Sequence, residues 1–313
     1  MRKCFVGIDT SNYTTSIGIV AEDGEILANI KKLLPVAEGE CGLRQSDAVF
    51  AHIKNLPAVL AAADEVLQDA EILAIGYSAK PRNVEGSYMP CFLCGEDIAR
   101  ALCVGRRIPM YAFSHQCGHV SAALTSADAW SIAEEPFIAF HVSGGTTEVL
   151  LCKRDTEGFT TEIIGGTRDL NAGQAIDRAG VMMEMAFPCG AELERVASTY
   201  HGKIAKPKIS VKDGYCNLSG LQNLSAKVYA ESGDKAKTSA YVLQFVGHTL
   251  KKMAEDVRAE YGEKPIVFGG GVMSNQKLRE MLLPLGNVFF AEPMLSADNA
   301  VGTAELTRRK FLK

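Results

Sequence analysis

Two histidines four residues apart, in His115-Gln116-Cys117-Gly118-His119, are the residues of this chain best suited to chemistry. At that spacing on a helix they share one face. Imidazole nitrogens are ligands for zinc and iron. The pair follows an apolar stretch, Met110–Phe113, that predicts a strand. It would then stand at the carboxyl end of a sheet, where α/β proteins bind ligands. The plainer reading has one histidine packing or capping and the other solvated. Asp298, where the last helix is expected to start, is either an N-cap or an oxygen ligand. Two histidines and one carboxylate would leave positions open on Fe or Zn. His141 ends a buried strand and is either a further metal ligand or a satisfied core histidine.

A second group of residues suits phosphates. Val142-Ser143-Gly144-Gly145 lies between two apolar runs, and its glycines would let a ligand approach the backbone; an ordinary hairpin is the alternative. Phe268-Gly269-Gly270-Gly271 runs from a strand into a helix start near Asn275, a shape that favours a nucleotide. Gly173 and Asp177 lie at a helix entry, where the acid could bind ribose hydroxyls or simply be solvated. Cys91-Phe92-Leu93-Cys94 has redox or half-zinc spacing, but with no second such pair it reads as apolar packing.

The elements that must position these groups alternate in type. Cys4–Asp9, Ser16–Ala21 and Glu25–Lys31 predict a strand meander, with Asp23-Gly24 as a hairpin turn. Phe50–Leu67 predicts a helix, Ile72–Ser78 a strand, Leu93–Val104 a helix and Met110–Phe113 a strand. The pattern then restarts: strands Phe137–Val142, Thr146–Cys152 and Phe159–Gly165, and a helix over Ile176–Ala186. A long helix over Ala240–Tyr261, a strand over Pro265–Phe268, a helix over Asn275–Leu283, a strand over Val288–Ala291 and a closing helix over Asn299–Phe311 follow. The expected lobes are 1–113 and 114–298, the second with the metal and nucleotide site and the closing helix 299–313 packed back on the first. Each opens with strand, small polar turn, strand, and two such turns can offer backbone N–H groups to a phosphate chain.

Composition sets limits. The chain has 313 residues, 47% hydrophobic and 22% charged, which is ordinary for a globular α/β protein. A net charge of −4 argues against a broad nucleic-acid-binding face, so an RNA partner would need a local basic patch or another subunit. The start of the chain lacks a signal-peptide pattern and no apolar run is of membrane length. Nine scattered cysteines then read as reduced thiols of a cytoplasmic protein.

Taken in order, the motifs resemble those of the TsaD family, the tRNA N6-adenosine threonylcarbamoyltransferases once called O-sialoglycoprotein endopeptidases. His115, Gly118 and His119 match its H-x-x-G-H, Val142–Gly145 its V-S-G-G, and Gly173, Ala175 and Asp177 its G-x-A-x-D. Ser219-Gly220-Leu221 matches S-G-L, Gly270-Gly271-Val272 with Asn275 matches G-G-V-x-x-N, and Asp298-Asn299 matches the terminal D-N. The resemblance covers nearly the whole chain. It implies an α/β, two-lobed actin/Hsp70/sugar-kinase-like (ASKHA) fold with duplicated mixed-sheet subdomains around a nucleotide cleft. It also implies transfer of threonylcarbamoyl from threonylcarbamoyl-AMP to N6 of adenosine 37 in tRNAs reading codons that start with A. By the same resemblance Fe2+ or Zn2+ is held by His115, His119 and Asp298, with His141 as an added ligand because it stands where archaeal and eukaryotic members have a metal-binding Tyr. The adenine nucleotide, threonylcarbamoyl-AMP or ATP, falls to Val142, Ser143, Gly144, Gly145, Asp177, Gly190 and Asn275. No side chain is assigned a catalytic role apart from the metal. TsaB-like and TsaE-like partners and tRNA are implied, and no membrane.

The chain departs from the family pattern at three places. The usual first turn E-T-S-C-D-E-T is Asp9-Thr10-Ser11-Asn12-Tyr13-Thr14-Thr15, so two acids are replaced by Tyr13 and Thr14. The usual G-P-G is Lys80-Pro81-Arg82, and Thr146 stands where the family has His or Asn. These changes keep two alternatives open: a divergent metal- and nucleotide-binding paralogue with another carbamoyl or adenylate substrate, and a non-catalytic TsaB-like partner. A protease is ranked last, because there is no H-E-x-x-H and no nucleophile–base arrangement.

Overall fold

The computed structural model describes residues 1–35, 43–156, 158–296 and 300–313. The first half of the chain gives β1 (Arg2–Ser11), β2 (Thr14–Ala21), β3 (Ile26–Leu33), α1 (Gln45–Leu67), β4 (Ala70–Lys80), α2 (Phe92–Arg106), β5 (Met110–Ser114) and α3 (His115–Ser126). The sheet order is β3-β2-β1-β4-β5. The first three strands form the antiparallel meander, and β4 and β5 add on in parallel. β1 is buried from Cys4 onward because helices cover it, as parallel sheets require.

The second half gives β6 (Phe137–Val142), β7 (Thr147–Asp155), β8 (Gly158–Thr167), α4 (Ala172–Met182), α5 (Gly190–Ala197), β9 (Ser210–Lys212) and β10 (Tyr215–Asn217). Then come α6 (Gly220–Ser232), α7 (Lys235–Tyr261), β11 (Ile266–Gly269), α8 (Gln276–Leu282), β12 (Val288–Phe290), α9 (Pro293–Ser296) and α10 (Val301–Phe311). This sheet runs β12-β11-β6-β7-β8-β10-β9. Here β6 pairs antiparallel with β7 and parallel with β11, and β11 pairs parallel with β12. The two sheets thus repeat one plan, three strands of meander followed by two parallel strands, with β9 and β10 added to the second. The second core includes a run of rings, Phe140 tilted against Phe268 at 4.7 Å and Phe268 stacked on Phe290 at 5.4 Å.

Packing divides the chain into two compact units, one of Met1–Trp130, Arg154–Thr160 and Ala297–Lys313, the other of Ser131–Lys153 and Thr161–Ser296. The His-bearing helix α3 therefore belongs with the first sheet, not with the second as a division at 113/114 would place it. The cause is close backbone approach between α3 and α10: a Cβ on Gly302 would lie 1.9 Å from the Gly118 carbonyl oxygen. α10 itself lies on a row of glycines in register on three adjacent strands, Gly18, Gly7 and Gly76. A Cβ on Gly7 would lie 2.4 Å from the Ala300 oxygen, and one on Gly76 would lie 1.9 Å from Thr307 Oγ1. Only glycine admits a helix this close to a sheet.

Some element bounds differ from expectation. α1 begins at Gln45, before Phe50, and α4 begins at Ala172, where Asn171 and Gln174 form a capping box. α4 stops at Met182, ahead of the expected Ala186, because Glu184 takes a left-handed φ of 62°. The expected start of the closing helix at Asn299 lies outside the described residues.

Candidate metal and nucleotide sites

In the first unit α3 follows β5 without a loop. Ser114 is its extended N-cap and accepts the Cys117 N–H at 3.2 Å, so His115 is the first helical residue. One turn on, the two rings converge, with His115 Nε2 and His119 Nε2 2.9 Å apart. The other nitrogen of His115, Nδ1, lies 2.8 Å from Asp9 Oδ2. Asp9 is 1% exposed at the end of β1 and also accepts from the Ser11 N–H at 2.9 Å and from the Ser78 hydroxyl on β4. An ionised Asp9 would accept from the Nδ1–H tautomer of His115, the form in which Nε2 keeps its lone pair. This is the arrangement in which an outer carboxylate fixes the tautomer of a metal-ligating histidine. Two ring nitrogens this close can both reach one ion at the usual bond length of about 2.0–2.1 Å, so the donor set fits a shared Fe2+ or Zn2+.

Among the described residues no three His, Cys, Asp or Glu side chains group as a metal cage. Asp298, the expected third ligand, lies outside the described residues. His141 is in β6 of the second unit, in register with Glu148 of β7 and Gly269 of β11.

The second unit gathers the glycine-rich residues. Ser143 and Thr146 close the turn between β6 and β7: the Ser143 N–H donates to the Thr146 oxygen at 2.7 Å and the Thr146 N–H to Ser143 Oγ at 3.0 Å. Gly144 and Gly145 at its tip are exposed, and a Cβ on either would meet nothing within 4 Å. Two neighbours need glycine for a steric reason. A Cβ on Gly173 would lie 2.7 Å from the Gly144 backbone, and one on Gly270, at φ 96°, would lie 2.3 Å from the Val142 oxygen. The entry to α4 and the β11 loop are thereby seated directly against the Val142–Gly145 turn. Asn275 is 8% exposed and accepts the Leu278 N–H at 3.0 Å, capping α8. Asp177 accepts the Cys189 N–H at 2.8 Å, next to Gly190, which opens α5. Burial pushes the Asp177 carboxyl above its ordinary value, opposed by that N–H.

Two further motifs resolve into structural roles. Ser219 of the S-G-L segment is held by Asp169, whose Oδ2 accepts the Ser219 hydroxyl at 2.6 Å and whose Oδ1 accepts the Leu218 N–H at 2.7 Å. Cys91 and Cys94 are buried free thiols, and burial pushes Cys91 up to about 12, far from a redox-active thiolate. Asp9 and Ser78 were not among the expected site residues. Their signal was faint: an acid at the end of an apolar strand, and a serine at the end of the neighbouring one. Among the described residues no helix is long and apolar enough to cross a membrane.

The repeated sheet plan is that of the ASKHA class. Solved structures of the same fold include component A of the (R)-2-hydroxyglutaryl-CoA dehydratase of Acidaminococcus fermentans, with a TM-score of 0.56, 16% identity and coverage of 99% of both chains. Another is a ROK-family glucokinase of Streptomyces griseus in complex with glucose and AMPPNP, with a TM-score of 0.55, 14% identity and coverage of 98% of this chain and 99% of that one. At these identities the likeness establishes the fold alone. Within that class, the chain belongs to the TsaD family, tRNA N6-adenosine threonylcarbamoyltransferase, whose pattern matches residues 30–305. Relatives of that name include the Methanopyrus kandleri protein, 28% identical over 302 residues, covering 94% of this chain and 84% of its own. The Thermococcus sibiricus protein is 29% identical over 317 residues, covering 98% and 91%. Family membership makes this chain a transferase of tRNA processing.

Proposed function

We propose that the chain transfers a threonylcarbamoyl group from threonylcarbamoyl-AMP to N6 of adenosine 37 in tRNA, with Fe2+ or Zn2+ held by His115 and His119. The observation that carries this reading is the run Asp9–His115–His119, at 2.8 and 2.9 Å. Asp9 fixes the His115 tautomer and ring plane so that both Nε2 atoms point at one place. A bound divalent ion would supply Lewis acidity for a carbonyl oxygen. Asp298 is the proposed third ligand, by resemblance to the family.

The second unit carries the residues proposed for the nucleotide. The amides of Gly144 and Gly145 donate to the adenylate phosphate, and the open space beside both glycines admits it. Gly173 and Gly270 hold that turn in place. Asp177 offers its second carboxyl oxygen to a ribose hydroxyl, beside Gly190, and Asn275 anchors the loop after β11. In the transfer, N6 of adenosine forms a bond to the threonylcarbamoyl carbon, the bond from that carbon to the phosphate oxygen breaks, AMP leaves, and N6 gives up one proton. TsaB-like and TsaE-like proteins, and a cytoplasmic setting, belong to the same reading.

The test is a transfer assay with purified protein, threonylcarbamoyl-AMP, a tRNA reading codons that start with A, and TsaB- and TsaE-like partners. Modified nucleoside that disappears with His115→Ala is the expected result. No product from folded, metal-loaded protein would sink the reading. It would favour a paralogue with another acceptor, which Tyr13 and Thr14 in place of the family's acids already suggest.

A further inference from the structure

The loop after β11 has little support of its own. It runs through Gly269-Gly270-Gly271, residues with the most backbone freedom to lose on ordering. Gly271 is exposed, and a Cβ on it would meet nothing within 4 Å. A single 3-10 turn over Gly271–Ser274 follows. It is closed by the Met273 N–H on the Gly270 oxygen at 2.9 Å and by the Asn275 N–H on the Val272 oxygen at 3.2 Å. Short 3-10 turns have poorer hydrogen-bond geometry than an α-helix and hold a loop weakly.

Arg279 of α8 reaches back to this loop. Its Nε donates to the Met273 oxygen at 2.6 Å and its Nη2 to the Ala291 oxygen, also at 2.6 Å. Ala291 follows β12, and its own N–H donates to the Phe268 oxygen of β11 at 2.9 Å. One guanidinium thus ties the loop to the end of the sheet. The side chain is 11% exposed and its guanidinium lies 5.6 Å from the Phe290 ring centre. Its Nη1 faces Glu292 at 3.9 Å, so the charge has an acidic partner while the rest of the fork serves backbone. The helix itself does not need these bonds: Asn275 already caps α8, and both carbonyls lie outside it.

The two ends of the loop are held by other contacts. Gly270 is seated against the Val142 oxygen. At the far end Glu194 accepts the Gln276 N–H at 2.7 Å, which joins the loop to α5, the helix that Gly190 opens. Arg279 holds the stretch between them.

We propose that Arg279 is a positioning residue for adenine-nucleotide binding: it keeps the Gly270–Ser274 loop in one place, so that the open space beside Gly271 stays available to the nucleotide. The inference deepens the function proposed above and rests on the nucleotide assignment made there. An arginine suits the task because its rigid fork can serve two carbonyls at once, whereas a lysine ammonium is a compact point charge on a flexible stem.

The test measures AMP binding by calorimetry on the full chain, on Arg279→Met and on Arg279→Lys, with a thermal melt of each. Methionine keeps an apolar stem against Phe290 and removes both bonds; lysine keeps the charge. AMP affinity is expected to fall about tenfold or more in Arg279→Met, because the loop is no longer preorganised. Arg279→Lys should lose affinity too, but less. The KM for threonylcarbamoyl-AMP should rise in parallel with little change in kcat. Metal content at His115 and His119, which lie in the other unit, should match that of the unaltered chain. An arginine that serves stability alone would lower the melting temperature and leave the affinity of the folded chain unchanged. That result in Arg279→Met, or in Arg279→Lys if the methionine variant does not fold, overturns the proposal. If the unaltered chain binds AMP but transfers nothing, the proposed reaction fails and the AMP affinities alone decide this inference. If the unaltered chain binds no AMP, the nucleotide assignment and this inference fail together.

Discussion

His115 Nδ1 lies 2.8 Å from Asp9 Oδ2, which joins the first residue of α3 to the end of β1 through a buried carboxylate. The bond turns an exposed-looking histidine motif into an oriented one. It also accounts for a buried acid in β1 directly after the apolar run Cys4–Ile8.

Asp9→Asn keeps the size of the side chain and removes its charge. An amide no longer fixes the Nδ1–H tautomer of His115. Metal affinity, measured by chelator competition, is expected to fall about 10–100-fold, as when other outer-shell partners of metal histidines are removed. Unchanged affinity would show that Asp9 serves the fold only.

Gly144→Ala and Gly145→Ala place a methyl where nothing lies within 4 Å, so the melting free energy should change by less than about 1 kcal/mol. Binding of an adenine nucleotide, read by calorimetry, should weaken in both. Gly173→Ala is the contrast: its methyl meets the Gly144 backbone at 2.7 Å, so both stability and binding should fall. Full nucleotide affinity in the Gly144 and Gly145 variants would move the nucleotide elsewhere.

The meander, the repeated strand-turn-strand plan and the long helix were legible in the sequence, because apolar runs and glycine punctuation survive any tertiary context. The placement of α3 was not. It depends on Gly302, near the end of the chain, meeting Gly118, and no local pattern reports such an approach. The elements α5, α6, β9 and β10 were missed for a related reason. β9 and β10 have three residues each, too few for a period, and α6 is fixed at its start by Asp169, fifty positions earlier. Gly144 and Gly173 were both legible as glycines, but only the structure shows that one faces open space and the other faces backbone.

Asp169 accepts from Leu170 N–H at 2.6 Å, Leu218 N–H at 2.7 Å and the Ser219 hydroxyl at 2.6 Å. Its partial burial would raise its pKa, but these donors outweigh that and hold it well below the carboxylate range. A depressed folded value means stability that is present above about pH 3.9 and lost as pH falls through the folded pKa. Asp169→Asn should cost about 1 kcal/mol at neutral pH, after allowance for solvent screening at this exposed side chain. The variant should also show a shallower loss below pH 4. Equal acid unfolding curves would contradict the assignment.

His52 is fully buried, with Nδ1 2.8 Å from Thr15 Oγ1. Burial lowers its pKa, against opposing effects of the Ser11 backbone and Asp9. The unfolded chain therefore binds the proton more readily. Stability is whole above about pH 6.5 and declines as pH falls toward the folded value. His248, lowered mainly by burial, adds a decline of the same sign. Melting temperature followed from pH 8 to 5 should drop less steeply in His52→Gln; parallel curves would show that His52 is protonated equally in both states.

The central claim is that His115 and His119 form one metal-binding pair. Its most direct test is metal content per chain after anaerobic loading with Fe2+ or Zn2+ and removal of excess, for the unaltered chain, His115→Ala and His119→Ala. About one ion per chain in the first, lost in both variants while their melts stay cooperative, is the expected result. Equal loading of either folded variant would contradict the account.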